Sequence, residues 1–173
     1  MFGSIKAFIS DFVGEASQRG AFEQRDRLIT IAALLVRIAT VHCEMSETRR
    51  AKLHDILRSC YGLDDITAAE LTLEADAIAR AAVDLYRFTR RLNDVLDDGE
   101  RRRVVQMMWE IVYADQRVNE FEENIIWRAS DLLGVSTRQR VELRQRITAR
   151  IEALAPAKLA DYPIMASSAR TGD

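Results

Sequence analysis

Residues 28–41 read LITIAALLVRIATV, and Arg37 is the only charged residue among them. As a helix, this run has almost no polar face, and a helix that is apolar all round is normally buried. Its uncharged part, Leu28–Val36, has nine residues, which is too short for a bilayer that needs about 20. The pattern therefore predicts a buried helix within residues 22–41.

A second run, RRRVVQMMWEIVYA over residues 101–114, has the same character. Segments 28–63 and 101–135 both contain a buried helix, a short connection, an amphipathic helix and then a glycine followed by an aliphatic residue. Because one hairpin cannot bury such a helix alone, two hairpins are expected to pack these helices together. A chance similarity of two helical hairpins is the alternative. The alignment places residues 42, 45 and 49 opposite residues 115, 118 and 122.

The remaining segments also have helical spacing. Both prolines lie within residues 156–163, and proline is the strongest helix breaker. A long helix over residues 67–96, opened by a capping box of Thr67 and Glu70, is predicted to link the two lobes. Asp98-Gly99 is then predicted to form a turn.

Two further capping boxes are predicted, Asn119 with Glu122 and Ser136 with Gln139. The predicted fold is all-α, a single domain of about seven helices in two pseudo-twofold-related hairpin lobes. Its predicted parts are an N-terminal amphipathic helix in residues 1–20, the helical domain in 21–155 and a C-terminal tail in 156–173.

Composition restricts the class of function. The chain has 173 residues, 48% of them apolar and 30% charged, and a formal net charge of -2. The near balance of charge argues against a nucleic-acid partner. No P-loop, dinucleotide-binding, zinc-protease or hydrolase motif occurs. Cys43 and Cys60 form no CxxC pair, and a reducing cytoplasm is the expected location.

Residues 2–17 carry a separate apolar stripe. Its members recur at spacings of three and four residues: Phe2, Ile5, Phe8, Ile9, Phe12 and Val13. This pattern predicts an amphipathic helix, which either docks on the core or binds a partner or a membrane surface. The mixed polar face, with Lys6, Asp11 and Glu15, weakens the membrane interpretation.

Residues 114–122, ADQRVNEFE, and residues 128–135, RASDLLGV, resemble the TerB-like family, named for a tellurite-resistance protein. The linker VDLYRFTR over residues 83–90 resembles the bacterial branch of that family with two such lobes. The resemblance implies a helical scaffold or sensor tied to stress and tellurite resistance. It also implies divalent-cation binding by acidic residues, and no established enzymatic activity.

Asp115 and Glu122 match the acidic positions of the family pattern, whereas Gln116 stands where glycine is usual. In the first lobe, His42 and Arg49 replace the acidic pair and are expected to repel a cation. We therefore predict at most a weak divalent-cation site, at Asp115 and Glu122. The alternative is that both residues only form a turn and a helix cap. Soft-metal binding by His42, Cys43 and His54 is a further alternative without a recognised spacing.

These observations predict a non-enzymatic helical scaffold or interaction module with a protein partner. The competing classes are a weak divalent-cation sensor and a metal-dependent hydrolase with an unrecognised carboxylate site. Three or more converging acidic or histidine side chains in a deep pocket would favour the hydrolase. A shallow apolar surface would favour the interaction module.

Overall fold

The computed structural model describes residues 23–41, 44–81, 84–115 and 118–154. These residues form seven α-helices and one short 3-10 helix, and no strand occurs among them. The helices are α1 over residues 23–39, α2 Glu47–Tyr61, α3 Asp65–Ala81, α4 Leu85–Val95, α5 Asp98–Val112, α6 Glu120–Leu132 and α7 Thr137–Leu154, and the 3-10 helix is Tyr113–Asp115. The all-α prediction is confirmed.

The two apolar runs form the centre of the domain, as predicted. Residues 31–36 of α1 are buried without exception, and so are most residues of α5 from Val104 onward. Near the helix starts, Arg27 of α1 forms an ion pair with Glu100 of α5 at 3.0 Å. The last residues of both helices contact one shared side chain, described below. The two buried helices therefore run side by side in the same direction.

The other helices cover this central pair. α2 packs against α3 and α5, and α6 packs against α4 and α5. α7 lies across α5 and α6. Each hairpin thus places its amphipathic helix against α5, which buries the helix that the sequence pattern marks as apolar all round.

The predicted linking helix over residues 67–96 is wrong, because it consists of two helices. α3 ends at Ala81, and α4 begins at Leu85 after the N-cap residue Asp84. The carboxylate of Asp84 accepts a hydrogen bond from the backbone N–H of Tyr86 at 2.9 Å. A side chain that accepts a hydrogen bond from a free backbone N–H favours the start of a new helix at that point. The sequence pattern did not indicate the break, because apolar residues recur at helical spacing on both sides of it.

Two predicted boundaries shift toward the N-terminus for the same reason. α3 begins at Asp65, and Asp64 Oδ1 accepts from the N–H of Thr67 at 2.8 Å, so Asp64 takes the capping role predicted for Thr67. α5 begins at Asp98 with a capping box of Asp97 and Glu100. Asp98-Gly99 therefore lies in the first turn of a helix and is not the predicted turn.

The ends of the two hairpins match their sequence signals. Ser46 and Asn119 are the N-cap residues of α2 and α6, and Asn119 forms the predicted box with Glu122. Gly62 and Gly134 follow α2 and α6 with φ of 66° and 72°. In this left-handed region a side chain is strained, so glycine suits both helix exits. The predicted pairing of Ser136 with Gln139 is also present.

The predictions for the N-terminal segment 2–17, the tail 156–173 and residues 42–43 lie outside the described residues. Among the helices that are described, none combines the length and the apolar character needed to cross a membrane.

Candidate functional site

Arg49 lies at the junction of the two hairpins. It is the third residue of α2, and its side chain is only 5% exposed. Its guanidinium group faces four oxygen-bearing groups from other elements of the fold. They are the carboxylates of Asp115 and Glu122 and the backbone carbonyls of Ala39 and Val112.

The two carbonyls come from the ends of the buried helices. Arg49 Nη1 donates to the carbonyl of Ala39, the last residue of α1, at 3.0 Å. Its Nη2 donates to the carbonyl of Val112, the last residue of α5, at 3.4 Å. The final carbonyls of a helix lack partners within the helix and form the negative end of its dipole. One guanidinium group therefore caps both central helices.

Asp115 reaches the same group from the 3-10 helix that follows α5. Its Oδ2 lies 2.8 Å from Arg49 Nε, an ion pair without the alignment of a hydrogen bond. Both carboxylate oxygens lie 2.9 Å from the hydroxyl of Ser46, which donates to them. Ser46 Oγ also accepts from the backbone N–H of Arg49 at 3.2 Å. Ser46 thus caps α2 and holds Asp115 beside Arg49.

Glu122 has two functions at once. Its Oε2 accepts the backbone N–H of Asn119 at 3.2 Å, which completes the capping box of α6. Its Oε1 lies 2.6 Å from Arg49 Nη1, and the side chain is 3% exposed. Removing Arg49 would leave the Glu122 carboxylate buried without its ion-pair partner, which costs several kcal/mol, typically about 3–5.

The structure brings together the two residues predicted to bind a cation, Asp115 and Glu122, and the positive group between them is Arg49. A divalent cation at the same point would have to displace the guanidinium group. The cation site itself stays a prediction. Sequence reasoning placed Arg49 in the first lobe as a repelling charge and missed that it crosses to the second. The available signal was its position opposite Glu122 in the repeat.

The comparisons with known proteins give one result. The family model described as tellurite resistance protein TerB matches residues 28–145. This chain belongs to the TerB family. No curated protein and no solved structure matches it significantly. The matched region of this TerB domain contains Ser46, Arg49, Asp115 and Glu122 and therefore the whole junction.

Elsewhere in the TerB domain, the described residues contain no group of three or more histidine, cysteine, aspartate or glutamate side chains arranged for a metal ion. Of the soft-metal candidates, only His54 is described. Its Nε2 lies 3.3 Å from the backbone oxygen of Asp65.

The outer face of α3 is the second notable feature of the domain. An apolar stripe on this face, called the α3 stripe below, consists of Ile66, Ala69, Leu73 and Ala77. The large members stand out into solvent, with Ile66 73% exposed and Leu73 68% exposed. Their spacing of three and four residues places them on one side of the helix over about 16 Å of its length.

A cleft of about 550 Å³ lies between α1 and α4. Its walls include Asp26, Arg27 and Arg91, together with Leu92 and Val95. Asp26 forms an ion pair with Arg91, and Arg27 forms one with Glu100. These charged groups of the cleft are already paired within the domain. The α3 stripe, whose large apolar side chains are exposed, is therefore the stronger candidate for a binding surface.

Proposed function

We propose that this TerB domain is a non-catalytic interaction module that binds an amphipathic helix of a partner protein along the α3 stripe. The supporting observation is the exposure of Ile66 and Leu73, at 73% and 68%, on one face of a helix whose opposite face is buried. An amphipathic helix laid on an apolar face is a common mode of recognition, with contacts at intervals of three, four and seven residues.

The charge of α3 indicates the chemistry of the partner. The helix carries four carboxylates against one arginine. Asp65, Glu74 and Asp76 pair with Arg58, Arg25 and Arg80 of the same domain. Glu70, beside the stripe, is therefore the carboxylate that a basic group of the partner would meet. Complementary charge steers association and disfavours wrong partners. The proposed partner helix therefore has lysine or arginine residues beside its apolar stripe.

The N-terminal segment of the same chain is a poorer match. Residues 2–17 carry Lys6 against Asp11 and Glu15, so their net charge is 1 − 2 = −1. Placing a segment of negative net charge beside Glu70 is disfavoured by like-charge repulsion. We therefore propose that the α3 stripe binds a separate partner protein. The experiment must distinguish this from binding of residues 2–17 of the same chain.

The test uses full-length chain as bait in cells of its native host. Leu73→Ser removes one of the two large apolar side chains of the stripe without adding charge, and Glu70→Lys reverses a charge beside the stripe. Val141→Ser on α7, where Val141 is 37% exposed, is the matched control for a surface valine outside the stripe. Cross-linking followed by mass spectrometry identifies the segment that contacts α3.

We expect a partner that the unmodified chain and Val141→Ser retain and that Leu73→Ser and Glu70→Lys lose. Its cross-linked segment should be a basic amphipathic helix. The proposal is overturned if Leu73→Ser retains every partner, or if α3 cross-links only to residues 2–17.

The family is that of the tellurite resistance protein TerB, and growth in tellurite therefore supplies a cellular readout. We propose that the module acts in such a stress response. Loss of the protein should then lower growth in tellurite, with rescue by Val141→Ser and not by Leu73→Ser. Equal rescue by both variants would show that the α3 stripe is not needed for growth in tellurite.

A further inference from the structure

We infer that Arg49 is a built-in replacement for a divalent cation, whose guanidinium group fills an oxygen cage at the junction of the two hairpins. The cage consists of the four groups that face Arg49, from Asp115, Glu122, Ala39 and Val112. The inference does not depend on the proposed partner binding, because the cage lies in the core and the α3 stripe lies on the surface.

The chemistry of the cage is that of a hard-cation site. Carboxylates and backbone carbonyls are the ligands that calcium takes in proteins, with water completing a shell of six to eight oxygens. Here the four groups lie 2.6–3.4 Å from guanidinium nitrogens. The two carbonyls accept hydrogen bonds from the guanidinium group and the two carboxylates form ion pairs with it, so all four groups have a positive partner in place of a metal.

The charge of the cage requires a permanent cation. Two carboxylates and the negative ends of two helix dipoles converge on one buried point. Arginine supplies a charge that is not lost in proteins and up to five N–H donors in a planar group. Unlike a bound metal ion, this charge is covalently attached and cannot be removed by a chelator.

Two consequences follow for the protein. Its stability does not respond to calcium, magnesium or a chelator, because the cage is already filled. Removing the guanidinium group opens the cage, and the variant then gains a response to divalent cations that the natural chain lacks.

The experiment compares thermal unfolding of the full-length chain and of Arg49→Ala, each with calcium, magnesium or a chelator in excess. We expect the same Tm for the unmodified chain in all three conditions. In chelator, Arg49→Ala should lose roughly 10 °C in Tm, as breaking a buried ion pair does in a domain of this size. Calcium at about 10 mM should restore part of that loss.

Arg140→Ala is the matched control. The side chain of Arg140 is 8% exposed, close to the 5% of Arg49. It also pairs with a carboxylate, Asp131, and donates to a backbone carbonyl, that of Trp127, at 3.0 Å. It has one carboxylate partner where Arg49 has two. Arg140→Ala should therefore lose stability without gaining a calcium response, and Arg49→Ala combined with Glu122→Gln should lose the response.

Amide shifts in an NMR titration locate the effect. In Arg49→Ala, calcium should shift residues near Asp115 and Glu122, and in the unmodified chain it should shift neither. An equal calcium response of the two chains overturns the inference, as does a folded Arg49→Ala without any response. If Arg49→Ala unfolds in chelator, refolding on calcium addition supports the inference. If it stays unfolded in calcium as well, Arg49→Gln is assessed by the same criteria.

Discussion

Arg49 and Glu122 occupy the same position in their two hairpins, the third residue of an amphipathic helix, and their side chains meet at 2.6 Å. Equivalent positions of the two hairpins thus carry opposite charges and bind each other. In a symmetric pair of lobes, two like charges would face each other at this point. With arginine at one of the two positions, the contact is an attraction that joins the two hairpins.

Exchanging the two residues tests this pairing. Arg49→Glu and Glu122→Arg should each destabilise the domain by about 3–5 kcal/mol, because each leaves like charges buried together. The double variant should recover part of that loss, and a double-mutant cycle from chemical denaturation gives the coupling. Full recovery is not expected, because Glu122→Arg also removes the carboxylate that completes the capping box with Asn119. Additive losses in the double variant would contradict the pairing.

Ser46→Ala should cost more than the loss of an ordinary helix cap, which is about 1 kcal/mol. The hydroxyl of Ser46 caps α2 and also donates to Asp115, whereas Ser136 caps α7 at an exposed site with Gln139 as its partner. Ser136→Ala is therefore the control for capping alone. Equal losses of Tm in the two variants would show that the contact with Asp115 adds nothing to stability.

Asp64 gives a contribution to stability that depends on pH in the acid range. Hydrogen bonds from the backbone and side chain of Thr67 lower the pKa of its carboxyl below the ordinary value of 3.8. A lowered pKa in the folded state contributes stability above the unfolded value, and this is lost as the pH falls through the folded value.

Asp64→Ala should therefore have a lower Tm than the unmodified chain at neutral pH, and the difference should shrink as the pH falls below 3.8. Asp64→Asn keeps a capping side chain without its charge, so its difference from Asp64→Ala should not change in that range. A difference between the unmodified chain and Asp64→Ala that is constant with pH would contradict the prediction.

Tyr61 gives the opposite dependence at alkaline pH. Burial, with Cys60 as a smaller contributor, raises the pKa of its hydroxyl from 10.0 to about 12. A raised folded pKa contributes stability that is present below the unfolded value and is lost as the pH rises through the folded one. Between these two pH values the unmodified chain should lose up to about 3 kcal/mol relative to Tyr61→Phe. Denaturation of both chains across this range measures it, and parallel curves would contradict it.

Much of the fold could be predicted because its signals are local. The apolar run over residues 28–41 and the caps at Asn119 and Ser136 each depend on residues within one helix turn or one helix face. The break between α3 and α4 could not be predicted from the sequence, because apolar residues recur at helical spacing on both sides of Asp84. An aspartate is also common on the solvated face of a helix, so Asp84 by itself does not mark a helix start.

The junction was only half predictable. The convergence of Asp115 and Glu122 followed from their places at the end of one helix and the start of the next. The arrival of Arg49 depends on how two hairpins pack, and the contact joins residues 73 positions apart in sequence. Because the hairpins were considered separately, Arg49 was expected to repel a cation in the first lobe, whereas its charge in fact pairs with carboxylates of the second lobe.

Arg49 also determines how the domain comes apart. A positive charge in the first turn opposes the dipole of its own helix, so Arg49 weakens α2 in isolation. Its favourable partners belong to the ends of α1 and α5 and to the turn and helix that follow α5, and these meet only in the assembled domain. We therefore expect neither hairpin to retain its order once the other has opened. Slow hydrogen exchange in the last turns of α1 and α5 should accordingly report one shared opening event with a single free energy.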